Sequence, residues 1–420
     1  MRRCLLRQKN VSRSPAGVLV CILLAGAALA GLTCISNDAS GERRMVTENK
    51  PDAVRQINPR SYADLQGTSY LPMVARIAGQ IVWPEESTPE AMPQHPAHLA
   101  IHDDLLIVRY LDMLEARNRT NGKRMWSKRI YSGVAFSLEP DGITTISHDG
   151  DYERLGFDGK ISERIGVPFL LGDPIPCFDL VRIDTAELTC IYHTYGEPAL
   201  DHDEESIPPF FLFDRMSRHS EKGIWTLEIR GEMLGFRITS GESRVYMATD
   251  EYFNFLPMNA KSNEDVKSME MPGLVTFSLN HSDDLLVVQD TDEGRLLRQI
   301  GSDGEEQWQI ELPKADTIWH PPASSPDGGV YLALGSKLLH IRDGKISWEY
   351  PFPSGGRSIY ITILSDGSVL AAAGIALVHI SSAGEEIITK FFEQALTCRP
   401  IVDEEGRVYV GTAGGVVCLK

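Results

Sequence analysis

The sequence is short of the residue combinations that carry hydrolytic, nucleotide and redox chemistry. Among 420 residues there are seven cysteines, of which only Cys177, Cys190, Cys398 and Cys418 lie beyond residue 34. No two cysteines are adjacent. No Gly-x-Ser-x-Gly elbow, phosphate-cradling glycine loop or Ser/His/Asp set in a strand-turn-helix context occurs, so the motifs of common hydrolases and nucleotide-binding proteins are missing. Positive charge is scarce, with 41 Lys and Arg against 58 Asp and Glu. A chain of formal net charge −17 repels nucleic acid and anionic lipid headgroups and stays soluble. No nucleic-acid partner is expected.

Positive charge is also unevenly placed. Arg2, Arg3, Arg7, Lys9 and Arg13 precede the first acidic residue, Asp38, and Ala16 to Ile35 is a 20-residue stretch without charge. Such a run is long enough to span a bilayer, and flanking positive charge stays inside. Residues 1–35 therefore read as a signal sequence or membrane anchor, and the remainder is placed outside the cytoplasm. Three fates stay open: cleavage after Ala28-Leu29-Ala30, lipidation at Cys34, or retention as an anchor. Loss of residues 1–34 would move the net charge from −17 to −22. Residues 36–75, polar and charged, read as a linker.

What is present from residue 76 to 420 is a repeat of about forty residues. One part is a glycine four residues before a tryptophan: Gly79/Trp83, Gly122/Trp126, Gly304/Trp308 and Gly344/Trp348, weakening to Gly384/Ile388 and Gly159/Glu163. The other is a tight turn entering a strand, as at Gly328, Gly367 and Gly406, which are 39 residues apart. A repeat of this length built from short strands is one four-stranded propeller blade. Anchoring on the turn before each second strand gives Asp104, Gly142, Ala186, Ser243, Asp284, Gly328, Gly367 and Gly406. The expected fold is thus all-β, an eight-bladed β-propeller, with seven blades still open if the third and fourth are misdivided. The last blade lacks an outer strand, and residues 79–83 supply one, which would close the ring and remove two open sheet edges. The glycine should occupy a left-handed turn and the tryptophan should lie largely buried between sheets. Residues 195–208 read as a loop inserted into the third blade.

These residues resemble the quinoprotein-like (PQQ-type) β-propeller repeat family. The match is carried by Ala116-Arg117-Asn118-Arg119-Thr120-Asn121-Gly122-Lys123-Arg124-Met125-Trp126. The family's docking motif is Ala-x-Asp-x-x-Thr-Gly-x-x-x-Trp, so Asn118 stands in place of its Asp and Asn121 in place of its Thr. The resemblance implies either of two activities. Quinone-dependent dehydrogenases of the family use an adjacent cysteine pair, a calcium site and an Asp base, and the pair is missing here. Membrane-tethered scaffold propellers, such as the outer-membrane assembly lipoprotein, are non-catalytic and bind proteins. The pattern favours the second, with no cofactor, no metal and no catalytic residue assigned.

Several residues are candidates for binding or cross-linking. Cys177 and Cys190 fall on adjacent strands and form the one candidate disulfide; Cys398 and Cys418 read as buried thiols. His95-Pro96-Ala97-His98 with His102 reads as a first strand and its entry rather than a metal site, because Pro96 breaks any helix that would align the histidines. His202-Asp203-Glu204-Glu205 reads as a solvated acidic loop. His320, Arg357 and Arg399 sit near the first strands of three blades and would make one side of the channel mouth basic, suited to an anionic ligand or acidic peptide. The expected function is an exported, membrane-associated monomer that binds protein partners on its rim. An exported enzyme or ligand sensor at the channel mouth is the alternative.

Overall fold

The computed structural model describes residues 33–35, 56–57, 70–71, 73, 75, 81–83, 95–130, 136–139, 141–147, 151–165, 177–182, 187–194, 210–217, 223–230, 233–239, 244–249, 251–257, 260, 262–353 and 358–420. These residues build an all-β chain of eight sheets. Seven of the sheets each contain an antiparallel meander of four consecutive strands, drawn in turn from residues 98–129, 136–165, 177–230, 233–270, 274–312, 323–351 and 359–391, and residues 401–419 supply three consecutive strands of the eighth. Each of the eight turn anchors named above directly precedes, or lies within two residues of, the second strand of one sheet. The third and fourth sheets are divided where the spacing placed them.

Burial falls from the first strands to the fourth. The second strands Val330–Leu334, Val369–Ala373 and Val408–Thr412 are buried throughout. The first two are continuous apolar runs and the third is apolar over residues 408–410, as expected of strands packed on both faces. Fourth strands such as Arg124–Arg129 and Lys267–Glu270 are largely exposed. Apolar clusters join neighbouring sheets. Leu286, Val288 and Leu297 of the fifth pack with Val330, Leu332 and Leu339 of the sixth. Val408, Tyr409 and Val410 of the eighth share one cluster with Leu364 and Leu370 of the seventh and with Leu99 and Leu106 of the first.

The eighth sheet takes its outermost strand from the other end of the chain. Ile81–Trp83 pairs antiparallel with Gly415–Leu419, Cys418 opposite Trp83 and Leu419 opposite Ile81. Part of the segment expected as linker is also built into the sheets. Gln56–Ile57 pairs with His98–His102, and Tyr70–Leu71 runs parallel to Ile359–Leu364, so two first strands gain a further neighbour. Leu71, Met73 and Ala75 are buried in the cluster that joins the seventh, eighth and first sheets. Polar composition hid this short apolar stretch from a reading by average character.

The glycine-tryptophan signal proves to be an inter-sheet joint. Gly122, Gly159, Gly304, Gly344 and Gly384 all have φ between 68° and 91°, the left-handed turn that glycine adopts without penalty. A side chain at Gly159 or Gly384 would also collide with an indole. A Cβ there would lie 2.7 Å from Cγ of Trp126 or Trp348. Each tryptophan therefore lands on the glycine of the following sheet. Trp126 donates through Nε1 to the Phe157 carbonyl at 2.8 Å, and Trp348 to the Ser382 carbonyl at 3.1 Å. Trp126, Trp308 and Trp348 are only half-buried, contrary to the expectation of rings largely enclosed between sheets. They lie on outermost strands, so one edge of each indole faces solvent. Asn118, where the family motif has Asp, accepts from the backbone N–H groups of Thr120 and Asn121 at 3.0 and 3.1 Å. An amide oxygen does the turn-capping work of the carboxylate.

Candidate functional site

Two clusters bring together groups from distant parts of the chain. The first lies where the chain enters the first strands of the sixth, seventh, eighth and first sheets. His98 opens the strand His98–His102, and Arg109 is directly opposite it in Leu105–Arg109. Arg399 precedes Ile401–Val402, and His320 precedes Ala323–Ser324. The His320 ring packs on Tyr360, with centroids 4.7 Å apart, and its Nε2 is 3.4 Å from the Ser358 hydroxyl.

Prolines explain how these entry segments are held. Proline has no N–H, so its carbonyl is the one backbone group left to bond. The hydroxyl of Ser278 donates to the Pro322 carbonyl at 2.5 Å, that of Thr362 to Pro400 at 2.6 Å, and that of Thr397 to Pro96 at 2.7 Å. Each bond ties one sheet to the entry of another. Pro96, Pro322 and Pro400 thus mark a repeated structural joint.

Burial lowers the His98 pKa well below the usual value, and the Arg109 and Arg399 charges lower it further. Burial, assisted by Arg399, brings His320 down to about 4. Both imidazoles are therefore neutral near pH 7, and the charges acting on them among the described residues are cationic. Arg109, Arg399 and His98 are 1 %, 5 % and 7 % exposed. These three are buried, whereas His320 is half-buried. Burial also pushes the neighbouring Cys398 thiol up to about 12, so it is an inert, protonated group. Cys398 and Cys418 are both free and buried.

Of the sequence candidates for the mouth, His320 and Arg399 are brought together, and Arg357 lies outside the described residues. Arg109, Ser358 and Tyr360 were not foreseen. An arginine ending an apolar strand gives no local hint that its side chain is buried. The three early histidines diverge. His95 Nδ1 is 2.9 Å from the Ala413 carbonyl, His98 joins the arginines, and His102 stacks on Phe157 with ring centroids 3.5 Å apart. Among the described residues no group of three His, Cys, Asp or Glu is placed to hold a metal ion. Residues 202–205 lie outside the described residues. Cys177 and Cys190 are on adjacent strands, with Cys177 opposite Tyr192 and Cys190 opposite Leu180. Cys34 lies in Thr33–Ile35, which runs parallel to Cys177–Arg182.

The second cluster is the seam between the eighth and first sheets, at the opposite ends of their strands. Arg119, within the docking motif, forms a bidentate pair with Glu404 at 2.6 and 2.8 Å and lies 3.3 Å from Glu405. Fully buried Asp403 accepts from Tyr409 at 2.8 Å and from Arg407 Nε at 2.7 Å. The Arg119 hydrogen bond holds Glu404 below the usual carboxylate range. A hydroxyl between a carboxylate and an imidazole occurs in the seventh sheet, where Ser368 donates to Asp366 at 2.6 Å and lies 2.9 Å from His379 Nε2. In nucleophilic triads the imidazole sits between the other two. This order leaves the hydroxyl bound to the carboxylate, as a structural link.

Among the described residues no helix is long and apolar enough to cross a membrane. No known protein family and no curated protein sequence matches the chain. Solved structures do. The quinohemoprotein alcohol dehydrogenase ADHIIG from Pseudomonas putida HK5 is similar with a TM-score of 0.55 at 9% identity, covering 83% of this chain and 74% of its own. A europium-containing methanol dehydrogenase gives 0.54 at 8% identity, over 85% and 89% of the two chains. BamB from Moraxella catarrhalis gives 0.36 at 15% identity, over 76% and 79%. At such identities the likeness is one of fold. The chain resembles the quinoprotein-like family and has its PQQ-type β-propeller fold.

Proposed function

We propose that this chain is an exported, membrane-associated, non-catalytic propeller that binds protein partners on its rim. In this reading the eight sheets are the blades of one closed ring, with Ile81–Trp83 as the closing strand. The protein is a monomer, tethered through residues 16–35 or a lipid on Cys34, with Cys177 and Cys190 available for an oxidising compartment. The observation that carries the reading is where exposed apolar side chains lie. Of the nine large apolar side chains exposed among the described residues, Val82, Met125, Ile161, Met269, Ile346, Ile387 and Phe391 are on outermost strands, and Leu111 and Ile375 are in turns between second and third strands. By contrast, His98, Arg109 and Arg399 at the first strands are buried, and the half-buried imidazole of His320, with a pKa of about 4, is a weak proton acceptor at pH 7. Binding surfaces on a rigid scaffold suit the periphery.

The second reading is an enzyme or ligand sensor that uses the basic cluster of His98, Arg109, His320 and Arg399 for an anionic ligand. Mixing the mature protein with pyrroloquinoline quinone and calcium separates the two. A ligand at a hundred times its dissociation constant raises stability by about 2.7 kcal/mol, and the expected result is no thermal shift and no alcohol oxidation. A shift accompanied by turnover would replace the scaffold reading with the enzyme. For the scaffold itself, cross-linking of the tagged mature chain in its own membrane fraction should map contacts to the outermost strands.

A further inference from the structure

We propose that the outermost strand of the first sheet, Arg124–Arg129, is a docking edge for an acidic, extended segment of a partner protein. The inference rests on the rim reading and assigns one place and one chemistry to it. Arg124–Arg129 is the last strand of its sheet, so among the described residues its outer side has no paired strand. An open edge of this kind is a ready template for strand addition. Its composition departs from that of the whole chain. Residues 123–129 hold Lys123, Arg124, Lys128 and Arg129 and no carboxylate, in a protein of net charge −17. The corresponding strand Glu306–Leu312 of the fifth sheet carries two glutamates and no cation, and Glu386–Phe391 of the seventh has one of each sign.

These cations are only partly used within the molecule. Lys128 is committed to Glu153 of the second sheet at 3.0 Å. Arg124 and Arg129 reach Glu115 and Asp112 at 3.4 and 3.6 Å while keeping 55% and 64% of their side chains exposed. Met125 beside them is 57% exposed, and Lys123 is exposed as well. Trp126 is turned the other way, onto Gly159 of the second sheet, and its indole bond to Phe157 fixes the strand in place. The edge is therefore rigid, cationic and apolar at one point. Backbone groups give an added strand its affinity, and opposite charges across the pair give it its choice of partner. Charge complementarity selects an acidic strand. A second copy of the same strand would set cation against cation.

The test uses the full mature chain and a fluorescein-labelled ten-residue peptide of alternating valine and glutamate, with the valine-lysine peptide as control. The acidic peptide should bind and the basic one should not. Arg124→Glu/Arg129→Glu should weaken binding at least tenfold with an unchanged melting temperature. Should that variant fold poorly beside Glu115, Lys123→Gln/Arg124→Gln/Arg129→Gln gives the same comparison without new negative charge. Undiminished binding to either folded variant, equal binding of both peptides, or no binding of the acidic one would overturn the proposed edge. So would concentration-dependent dimerisation lost in the variants, which would assign the strand to a second copy. Rim cross-links that persist in the variants would leave the rim reading standing while this inference fails. Cross-links absent from both proteins would remove the rim reading itself.

Discussion

At the residue scale, one glycine and one aromatic ring share a single task across a sheet boundary. The left-handed φ of Gly384 and the indole of Trp348 both forbid a side chain there, whereas Gly304 has the same backbone conformation with nothing within 4 Å of a would-be Cβ. The fourth sheet, which precedes Gly304, has no tryptophan on its outermost strand Lys267–Glu270. Gly304→Ala should therefore cost only the backbone term, about 1 kcal/mol, and Gly384→Ala about 2–3 kcal/mol because the indole must also move. Urea unfolding of the two variants measures the difference directly. Equal costs would mean that the ring gives way freely. The histidines supply a second residue-scale expectation. The folded His320 titrates near 4 and the unfolded one near 6.5. Between those values the unfolded chain binds the extra proton, so stability present above pH 6.5 declines as pH falls towards 4. The slope is about 1.4 kcal/mol per pH unit for each such histidine. His320→Gln should flatten the decline in a stability-against-pH series.

At the scale of elements, the join between the chain's two ends is made by a strand and an ion-pair network. Ile81–Trp83 covers the edge of Gly415–Leu419, and Arg119 binds Glu404 beside buried Asp403. Deleting residues 77–84 should expose that edge and yield an aggregating protein without a native melting transition, read by light scattering during a thermal scan. Arg119→Ala should destabilise by about 1–2 kcal/mol, since it removes a buried side chain whose bidentate partner Glu404 and neighbour Glu405 are solvent-exposed, while Arg407 and Tyr409 still hold Asp403. The seam should also weaken in acid. Glu404 is held below its unfolded pKa, so its contribution is complete above the unfolded value of 4.5 and is lost as pH falls through the depressed one. In wild type, acid should unfold the protein earlier than it unfolds the Arg119→Ala variant relative to each one's stability at neutral pH.

At the scale of the whole molecule, an acidic protein carries most of its large exposed apolar side chains on outermost strands and buries His98, Arg109 and Arg399 near the first strands. That division separates what stabilises from what is left to bind. The local signals were legible: turn glycines, a ring four residues later and the turn before each second strand all follow from backbone geometry within a few residues. They placed the second strand of each sheet, and the spare strand at residues 79–83 was legible because a missing element elsewhere called for it, but the added pairings of Gln56–Ile57 and Tyr70–Leu71 were not. The landing of Trp126 on Gly159, the meeting of His98 and Arg109 with Arg399, and the seam from Arg119 to Glu404 were not. Their partners lie up to about 300 residues apart, and a single sequence carries no signal that ties such positions together. Burial of Arg109 and half-exposure of the tryptophans likewise depend on which sheet lies next door. By itself, the amino-acid sequence determined the repeat, because each strand and turn is a short-range consequence of its own residues. Which side chains meet, and which remain free on the rim, was decided only by tertiary packing, because sheets that cannot bury both faces alone must take their neighbours' surfaces as they come.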